Sequence, residues 1–305
     1  VVNTPEAFMA LTGAQVRIGY EATALDRENK EVTAVELASG KTGAYSYDKL
    51  VIATGAHPWA PDVPGLDLGN VFYMRTPDDA DALRRLVDAG EVKRVVVVGG
   101  GLIGLEVAEN LADRGVKTSV IDFAPHVLSE MLDPEIAEYV EGAMAEAGIM
   151  PFTGVALEGL SGEGKVEKVL TSKRPMKADA VVLAMGFRPN TEWLAGSGLA
   201  MTKGTLLVDE HMRTNDPDIY AAGDCALVTN RATGERQWSA MGSTANITGR
   251  MAAQHIGGRE VTPYPGVLGT GIAKLPGTNM SRVGLTESAA KKAGYDVETV
   301  ITVAE

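Results

Sequence analysis

The chain has 305 residues, of which 45% are apolar and 22% are charged, and its formal net charge at pH 7 is −12. This length predicts two domains, and no apolar run approaches the roughly 18 residues of a membrane-spanning helix. The negative charge disfavours nucleic acid and anionic lipid as partners, and a single cysteine excludes an intrachain disulfide, so we expect a cytoplasmic protein.

Residues 14–55 alternate short β-rich runs with turn signals. The middle of this region predicts a pair of antiparallel strands, because apolar residues occupy alternate positions in runs such as EVTAVELASGK. The run KLVIATG that ends at Gly55 is short and continuously apolar, as expected of a buried strand. A loop rich in proline and glycine and a charged helix, TPDDADALRRLVDAG, follow it, and this places a domain boundary near residue 90.

A βαβ unit begins near residue 93. The run KRVVVVGGG predicts a strand, LIGLEVAENLADRG a helix that stops at Gly115, and KTSVID a second strand. The apolar positions of this helix share one face: Leu105, Ala108 and Leu111.

Further elements continue the α/β pattern. A second helix begins after Asp133, its expected N-cap, with Pro134 in its first position. Two hairpin strands are predicted around EGLSGEGKVEKVLTS, and two more buried strands in ADAVVLAMG and DIYAAGD. The run WSAMGSTANITGRMAAQHIGG contains the start of a helix rich in small residues.

The pattern G-x-G-x-x-G occupies the strand-to-helix turn of the βαβ unit, at Gly99, Gly101 and Gly104. Alone it is a weak signal in a chain with 35 glycines, but its position after a strand and before a helix strengthens it. Such glycines let the main chain turn tightly and approach a pyrophosphate, which meets the free N–H groups of the helix. The alternative is a turn that only packs a helix on a sheet.

Asp122 ends the second strand of this unit, where an acid binds both hydroxyls of an adenosine ribose. A carboxylate would repel the 2′-phosphate of NADPH, and the following residues, FAPH, supply no arginine to neutralise it. The sequence therefore predicts an NADH site; the alternative is that Asp122 is a solvated strand end.

Two other apolar strands end in small residues and glycine, at ATG before residue 56 and at AAGD before residue 225. Backbone can approach a ligand at such strand ends, on the carboxyl edge of a parallel sheet. Asp224 could accept hydrogen bonds from a polyol there, although a strand that ends in Gly-Asp is also common as a plain turn.

Taken in order, KLVIATGAHP, VVVVGGGLIGLEVAE, VVLAMGFRPNT, IYAAGDCA and GSTANITGRMAA resemble the FAD-dependent pyridine nucleotide-disulfide oxidoreductases, over nearly the whole chain. The similarity is greatest to the branch of NADH oxidases, NADH peroxidases and coenzyme A-disulfide or persulfide reductases. It implies an α/β fold with two Rossmann-like three-layer nucleotide-binding domains and the start of an α+β dimerisation domain. The implied ranges are 1–90 and 216–266 for an incomplete FAD-binding domain, 91–215 for an inserted NADH-binding domain, and 267–305 for the beginning of the dimerisation domain.

The resemblance also implies which residues bind the two nucleotides. Those implied for FAD are Ala22, Thr54, Gly55, Asp224, Ala240 and Met241. Those implied for NADH, together with the glycines of the turn, are Gly99, Gly101, Leu102, Ile103, Gly104, Glu106, Asp122 and Gly186. For Glu106 a plain helix-surface carboxylate is the alternative.

The sequence departs from the family pattern in two ways. The family's N-terminal βαβ unit, its redox cysteine and most of its C-terminal domain have no counterpart here, so the chain, which begins on Val1, reads as an internal fragment. We expect such a fragment to bind FAD poorly and to be inactive alone, with no catalytic residue of its own. Leu102 stands where this branch often has an aromatic residue that covers the flavin, and leucine cannot stack in the same way.

The implied function is that of an NADH-dependent flavoprotein oxidoreductase. Hydride would pass from NADH to FAD and on to a disulfide, persulfide, coenzyme A-disulfide or oxygen-type acceptor, in a homodimer that acts on small molecules. The alternatives are a nucleotide-binding module without turnover and an NADH-linked redox-sensing interaction protein. The four histidines show no metal-ligand spacing, so we expect no metal site.

The only cysteine, Cys225, follows Asp224 at the tip of a predicted buried strand. A neighbouring carboxylate and burial both raise the pKa of a thiol, and no second cysteine is present to resolve a disulfide. The sequence therefore predicts a packing residue rather than a redox centre.

Overall fold

The computed structural model describes residues 4–275 and 277–302. The chain packs into two compact units. Unit 1 contains Val1–Gly55, Pro189–Val228 and Trp238–Pro265, and unit 2 contains Ala56–Arg188, Thr229–Gln237 and Gly266–Glu305. These divisions differ from the domain ranges expected from the resemblance, which remain a prediction. Residues 1–3, 276 and 303–305 of those predicted ranges lie outside the described residues.

Helices and strands alternate between Pro77 and Phe152, and strands dominate the rest of the described chain. The α-helices are α1 (Pro5–Thr12), α2 (Pro77–Asp88), α3 (Leu102–Ala112), α4 (Pro134–Glu146), α5 (Gly242–Ile256) and α6 (Glu287–Lys292). The strands of the first third are β1 (Tyr20–Asp26), β2 (Glu31–Glu36), β3 (Thr42–Ser46), β4 (Leu50–Ile52), β5 (Ala56–Pro58), β6 (Val71–Phe72) and β7 (Arg94–Val98). Those of the middle are β8 (Lys117–Ile121), β9 (Met150–Phe152), β10 (Leu157–Ser161), β11 (Lys168–Thr171), β12 (Met176–Lys177), β13 (Ala180–Leu183) and β14 (Phe187–Pro189). Those of the last third are β15 (Met201–Thr202), β16 (Thr205–Leu207), β17 (Ile219–Ala221), β18 (Ala226–Thr229), β19 (Arg236–Trp238), β20 (Gly271–Leu275) and β21 (Thr278–Arg282).

Two short 3₁₀ helices, Glu192–Leu194 and Gly223–Cys225, complete the set. In the part of the chain that the structure describes, no helix is long and apolar enough to cross a membrane.

Unit 2 is built on a five-stranded sheet in the order β6-β13-β7-β8-β9, in which every neighbouring pair is parallel. Strand β7 is buried on both faces: Val95 and Val97 join one apolar cluster, and Val96 and Val98 join another. A parallel strand covered on both sides needs such a continuous apolar run, so the predicted βαβ unit and α/β class are confirmed.

Unit 2 also contains the antiparallel sheet β10-β11-β12 and the hairpin of β20 and β21. The predicted hairpin after residue 157 is therefore confirmed, with β12 as a third strand. Alternate residues of the last hairpin, Ala273, Leu275 and Met280, belong to the same apolar cluster as α3 and α4. The Lys274 side chain is exposed and pairs with Glu109 of α3, with 2.9 Å between Nζ and Oε1. That this segment begins a dimerisation domain stays a prediction.

Unit 1 contains the antiparallel sheet β1-β2-β3 and a parallel pair, β4 and β17. The predicted antiparallel strands are confirmed, although β1 begins only at Tyr20. The prediction that β4 is buried along its length is wrong at Val51, which is 42% exposed. Among the described strands β4 pairs only with β17, so one face of this two-stranded sheet remains uncovered at Val51.

Two helix starts show different caps, and the second one was predicted from the sequence. Thr76 and Asp79 form a capping box at α2, since the Thr76 side chain accepts from the Asp79 amide and Asp79 accepts from the Thr76 amide. Asp133 is the N-cap of α4 by its backbone conformation, with Pro134 in the first turn, as expected. Its carboxylate, however, caps no amide of α4: both oxygens accept from the Glu287 amide at 3.0 Å, because α6 begins beside it.

Candidate functional site

Two glycines of the turn between β7 and α3 are required by close backbone packing. Gly99 has a φ of +111°, and a Cβ there would lie 2.3 Å from the Ala184 carbonyl oxygen. A Cβ at Gly104 would lie 2.0 Å from the Gly99 carbonyl oxygen. No side chain fits at either position, so these two glycines let α3 begin directly against the end of the sheet.

Gly101 differs from these two glycines. It is the N-cap of α3 with φ near −80°, no side chain caps the helix, and no atom of the described residues lies within 4 Å of a Cβ built there. The first amides of a helix have no partner inside the helix and carry its positive end. Open space above free amides is what a pyrophosphate requires, so the turn fits a dinucleotide.

Asp122 follows β8 and reaches the same turn. Its Oδ2 accepts from the Gly100 amide at 2.6 Å, and its Oδ1 accepts from the Ala124 amide at 2.7 Å. Asp122 therefore lies next to the glycine-rich turn, where a ribose-binding acid is expected. Gly186 follows β13, the strand beside β7; its φ is +97°, and no atom of the described chain lies within 4 Å of a Cβ built there.

The remaining predicted NADH residues lie on the first turns of α3. Leu102 is half-buried and packs against the apolar cluster of unit 2, whereas Ile103 is 36% exposed. Ile103 and Glu106 line a groove of about 320 Å³ between α2 and α3. The exposed Glu106 carboxylate fits both a nicotinamide contact and a plain surface role, so its role stays a prediction.

The turn Ala53-Thr54-Gly55 of unit 1 follows β4 and is hydrogen-bonded to Asn190. The Thr54 Oγ1 donates to the Asn190 carbonyl at 2.7 Å, and the Asn190 Nδ2 donates to the Thr54 carbonyl at 2.9 Å. The Asn190 amide also donates to the Gly55 carbonyl at 2.9 Å. Three hydrogen bonds thus fix the shape of a turn whose own residues are small.

Asp224 lies after β17, the strand that pairs with β4, so the structure brings Asp224, Thr54 and Gly55 to the same end of one parallel pair. The Asp224 carbonyl accepts from the Trp238 Nε1 at 2.6 Å. Within the described ranges, no hydrogen bond or ion pair engages its half-buried carboxylate. A partly buried carboxylate with free oxygens at a strand tip fits a polyol ligand.

The turn before Asp224 is fixed by α5. Gly223 has a φ of +74°, its amide donates to the Thr248 Oγ1 at 3.1 Å, and a Cβ there would lie 3.4 Å from the Ala245 Cβ. Two other predicted FAD residues, Ala240 and Met241, are exposed and directly precede α5, with Met241 as its N-cap.

Ala22 lies in β1, paired with Ala34 next to a register shift. The hydrogen bonds and strand pairs of unit 1 place it in a different sheet from the turns at Thr54 and Asp224. Its contact with adenine therefore stays a prediction that rests on the resemblance alone.

Cys225 is fully buried, and its Sγ donates to the Ile52 and Ala222 carbonyls, each at 3.3 Å. Burial raises the pKa of this thiol, because the thiolate would lose its solvation. The predicted packing role fits this environment. No group of three or more His, Cys, Asp or Glu side chains in residues 4–275 and 277–302 is arranged to hold a metal ion.

Sequence reasoning missed three residues that shape these turns: Asn190, Thr248 and Trp238. Asn190 belongs to the run FRPNT, which carries the family resemblance, and this was the available signal for it. Thr248 is an ordinary helix residue by pattern, although it is fully buried. Its contact with Gly223 is visible only once α5 is placed.

Comparison with known proteins agrees with this geometry. The sequence profile of the pyridine nucleotide-disulphide oxidoreductases matches residues 6–247. An NADH oxidase of Methanocaldococcus jannaschii is 35% identical over 95% of this chain and 64% of its own length. An NAD(P)H coenzyme A polysulfide/persulfide reductase of Pyrococcus horikoshii is 34% identical over 97% of this chain and 65% of its own length.

Among solved structures, the water-forming NADH oxidase of Lactobacillus brevis, bound to NADH, superposes with a TM-score of 0.92. It is 30% identical, and the match covers 98% of this chain and 66% of that protein. The present chain thus spans about two thirds of the length of these relatives.

Proposed function

Because this chain belongs to the pyridine nucleotide-disulphide oxidoreductase family, we propose that it acts as an NADH-dependent flavoprotein oxidoreductase. The observation that carries the proposal is the turn between β7 and α3. Gly99 and Gly104 close the turn against the sheet, Gly101 leaves open space above the free amides of α3, and Asp122 reaches the same place. Each of these groups has a role in binding NADH.

Different residues of unit 2 bind different parts of the dinucleotide. The backbone amides at the start of α3 donate hydrogen bonds to the pyrophosphate. The Asp122 carboxylate accepts hydrogen bonds from the hydroxyls of the adenosine ribose. The residue after Asp122 is Phe123, which is 79% exposed and brings no positive charge to a 2′-phosphate. These residues therefore favour NADH over NADPH.

The residues of unit 1 hold the second nucleotide. The Asp224 carboxylate accepts hydrogen bonds from the ribitol hydroxyls of FAD. The backbone of Thr54 and Gly55, which Asn190 holds in place, lies at the same end of the strand pair as Asp224. FAD supplies the chemistry of the reaction, since a flavin accepts hydride from NADH and passes the electrons on. The protein's part is to bind the two nucleotides, orient them and exclude water.

Two classes of acceptor are supported by the relatives' names: oxygen for the NADH oxidases, and coenzyme A-linked persulfide or polysulfide for the reductases. Both are small molecules. Cys225 serves neither, because a buried thiol that donates to two carbonyls cannot meet a substrate. We propose that any redox cysteine of this reaction is a different residue.

The charge and the family of the protein support a proposal about its partners, its oligomeric state and its location. A net charge of −12 disfavours polyanions, so we propose that neither nucleic acid nor anionic membrane is a partner. We propose a homodimer that works in the cytoplasm on a small redox substrate.

A second candidate function is a nucleotide-binding module without turnover. Val51 favours it, because this residue of β4 lies uncovered beside the turn that would hold FAD. A half-covered flavin site would bind FAD weakly or not at all.

A titration of the 305-residue chain with FAD and NADH separates the two candidates. For an oxidoreductase, the visible absorbance of oxidised flavin stays with the protein after free FAD is removed by gel filtration. It then bleaches on anaerobic addition of NADH, and oxygen or coenzyme A persulfide restores it. If the chain binds NADH but not FAD, the result supports the nucleotide-binding module without turnover. If neither nucleotide binds, both candidates are wrong.

A further inference from the structure

The residues that follow Asp122 fold back over the glycine-rich turn; we call residues 123–132 the return segment. The Leu128 amide donates to the Gly100 carbonyl at 2.9 Å, while the Gly100 amide donates to Asp122. A Cβ at Gly100 would lie 3.0 Å from the Val127 Cγ1, so the Val127 side chain is packed against this glycine. Both polar groups of the Gly100 backbone are therefore held by Asp122 and the return segment.

The return segment is in turn fixed by one side chain of α4. The Glu141 Oε1 accepts from the Val127 amide at 2.9 Å and lies 3.4 Å from the His126 Nδ1. Val127 is fully buried, and the Glu141 side chain is 20% exposed. Water cannot easily replace Glu141 as the acceptor, and a buried amide without an acceptor is costly.

The conformation of the segment makes this anchor necessary. Leu128 has a φ of +53°, in the left-handed region that is unfavourable for a side chain such as leucine. Its neighbours must hold it there, and the bond from Glu141 to the adjacent Val127 amide is one of the contacts that do so.

We propose that Glu141 is a positioning residue for the dinucleotide. It fixes Val127 and Leu128, these hold Gly100, and Gly100 sets the shape of the turn that receives the pyrophosphate. Glu141 thus acts on NADH binding through the return segment without touching the ligand. The inference rests on the proposed function, because it takes NADH as the ligand of this turn.

Three variants of the full 305-residue chain test the inference: Glu141→Ala, Glu141→Gln and Glu138→Ala. Glu138 is an exposed carboxylate of the same helix and serves as the matched control. Glutamine keeps an oxygen that can accept from Val127. We therefore expect the dissociation constant for NADH to rise about fivefold to tenfold in Glu141→Ala and to stay within twofold in the other two.

Hydrogen exchange on the same samples distinguishes positioning from general unfolding. In Glu141→Ala, amides of the return segment should exchange faster, while those of β7 and β13 remain protected. Faster exchange throughout unit 2, or a dissociation constant in Glu141→Ala equal to that of the unsubstituted chain, would overturn the inference and leave the proposed function standing. If the unsubstituted chain binds no NADH, the proposed function fails and the inference fails with it.

Discussion

Thr54 and Asn190, which are 136 positions apart in the chain, hydrogen-bond each other twice: Thr54 Oγ1 to the Asn190 carbonyl, and Asn190 Nδ2 to the Thr54 carbonyl. The turn that precedes residue 56 therefore depends on a residue that comes after the whole five-stranded sheet of unit 2. Within the turn only Thr54 contributes a polar side chain, and its partner is the Asn190 carbonyl.

This relationship predicts that Asn190→Ala weakens FAD binding. The substitution removes the side-chain donor to Thr54 and leaves the backbone bonds in place, so we expect a loss of about 1 kcal/mol, or roughly fivefold in affinity. FAD fluorescence quenching measures it. Asn215→Ala is the control, because Asn215 also makes two hydrogen bonds in unit 1, with Ala200 and Gly198. Equal losses in both variants would mean that Asn190 only stabilises the fold.

Gly101 and Gly142 form a matched pair for the glycine-rich turn. In neither case does any atom of the described chain lie within 4 Å of the added Cβ, and neither backbone has a positive φ. Gly101→Ala should therefore keep the melting temperature and lower NADH affinity by about tenfold or more, because its methyl group occupies the space for the pyrophosphate. Gly142→Ala should keep the NADH affinity and raise the melting temperature slightly, because alanine is favoured over glycine inside a helix by about 1 kcal/mol. NADH affinity that survives in Gly101→Ala would show that the pyrophosphate does not approach this glycine.

The choice between NADH and NADPH should depend on Asp122 and its neighbour. In the double variant Asp122→Asn with Phe123→Arg, the side chain that repels a 2′-phosphate is neutral, and an exposed position gains a cation. Asparagine keeps one oxygen for the Gly100 amide. We expect the ratio of NADPH to NADH affinity to rise at least about tenfold, or ~1.4 kcal/mol. Dissociation constants for both nucleotides measure it, with Asp113→Asn as a surface control; an unchanged ratio would place the adenosine ribose elsewhere.

The sequence predicted the glycine-rich turn well because every part of its signal is local. The strand, the three glycines, the helix and Asp122 lie within 30 residues. Each is predicted by the spacing of apolar residues or by the backbone conformations that only glycine adopts easily. Asn190 and Thr248 were missed because their contacts join distant segments. The residue pattern of α5 does not show that the Thr248 hydroxyl accepts a hydrogen bond from the Gly223 amide. The exposure of Val51 was missed for the same reason, since burial of a strand depends on its neighbours.

An ion cluster in unit 1 predicts how stability depends on pH. Lys30 and Lys49 both bind the Asp218 carboxylate, with 2.5 Å between the Lys30 Nζ and Oδ2, and they lower the pKa of Asp218 to about 2. The folded-state pKa lies below that of an unfolded aspartate, about 3.9, so the cluster stabilises fully above that value. Its contribution is lost as the pH falls from about 4 to 2.

Asp218→Asn should therefore lower the melting temperature at pH 7, and the difference from the unsubstituted chain should shrink as the pH approaches 2. Thermal unfolding between pH 2 and 7 measures this. Glu28→Gln, an exposed carboxylate of the same unit, should show no such trend. A difference that grows on acidification would contradict the assignment.

Cys225 should be inert as long as unit 1 is folded. The thiol is fully buried and donates to the Ile52 and Ala222 carbonyls, and burial raises its pKa. We expect a disulfide reagent to label it only after denaturant is added, because labelling needs an exposed thiolate. Since the folded-state pKa is raised, the thiol's contribution is complete below the unfolded value of about 8.5 and falls as the pH rises beyond it.

Cys225→Ala completes this test, because it removes the sulfur and leaves a side chain that fits the same space. The variant should lose about 1 kcal/mol of stability from the small cavity and keep its affinity for NADH. If the chain oxidises NADH, the variant should do so at the same rate. Loss of NADH oxidation with both nucleotides still bound would make Cys225 a redox residue, and fast labelling of the native protein would show that the thiol reaches solvent.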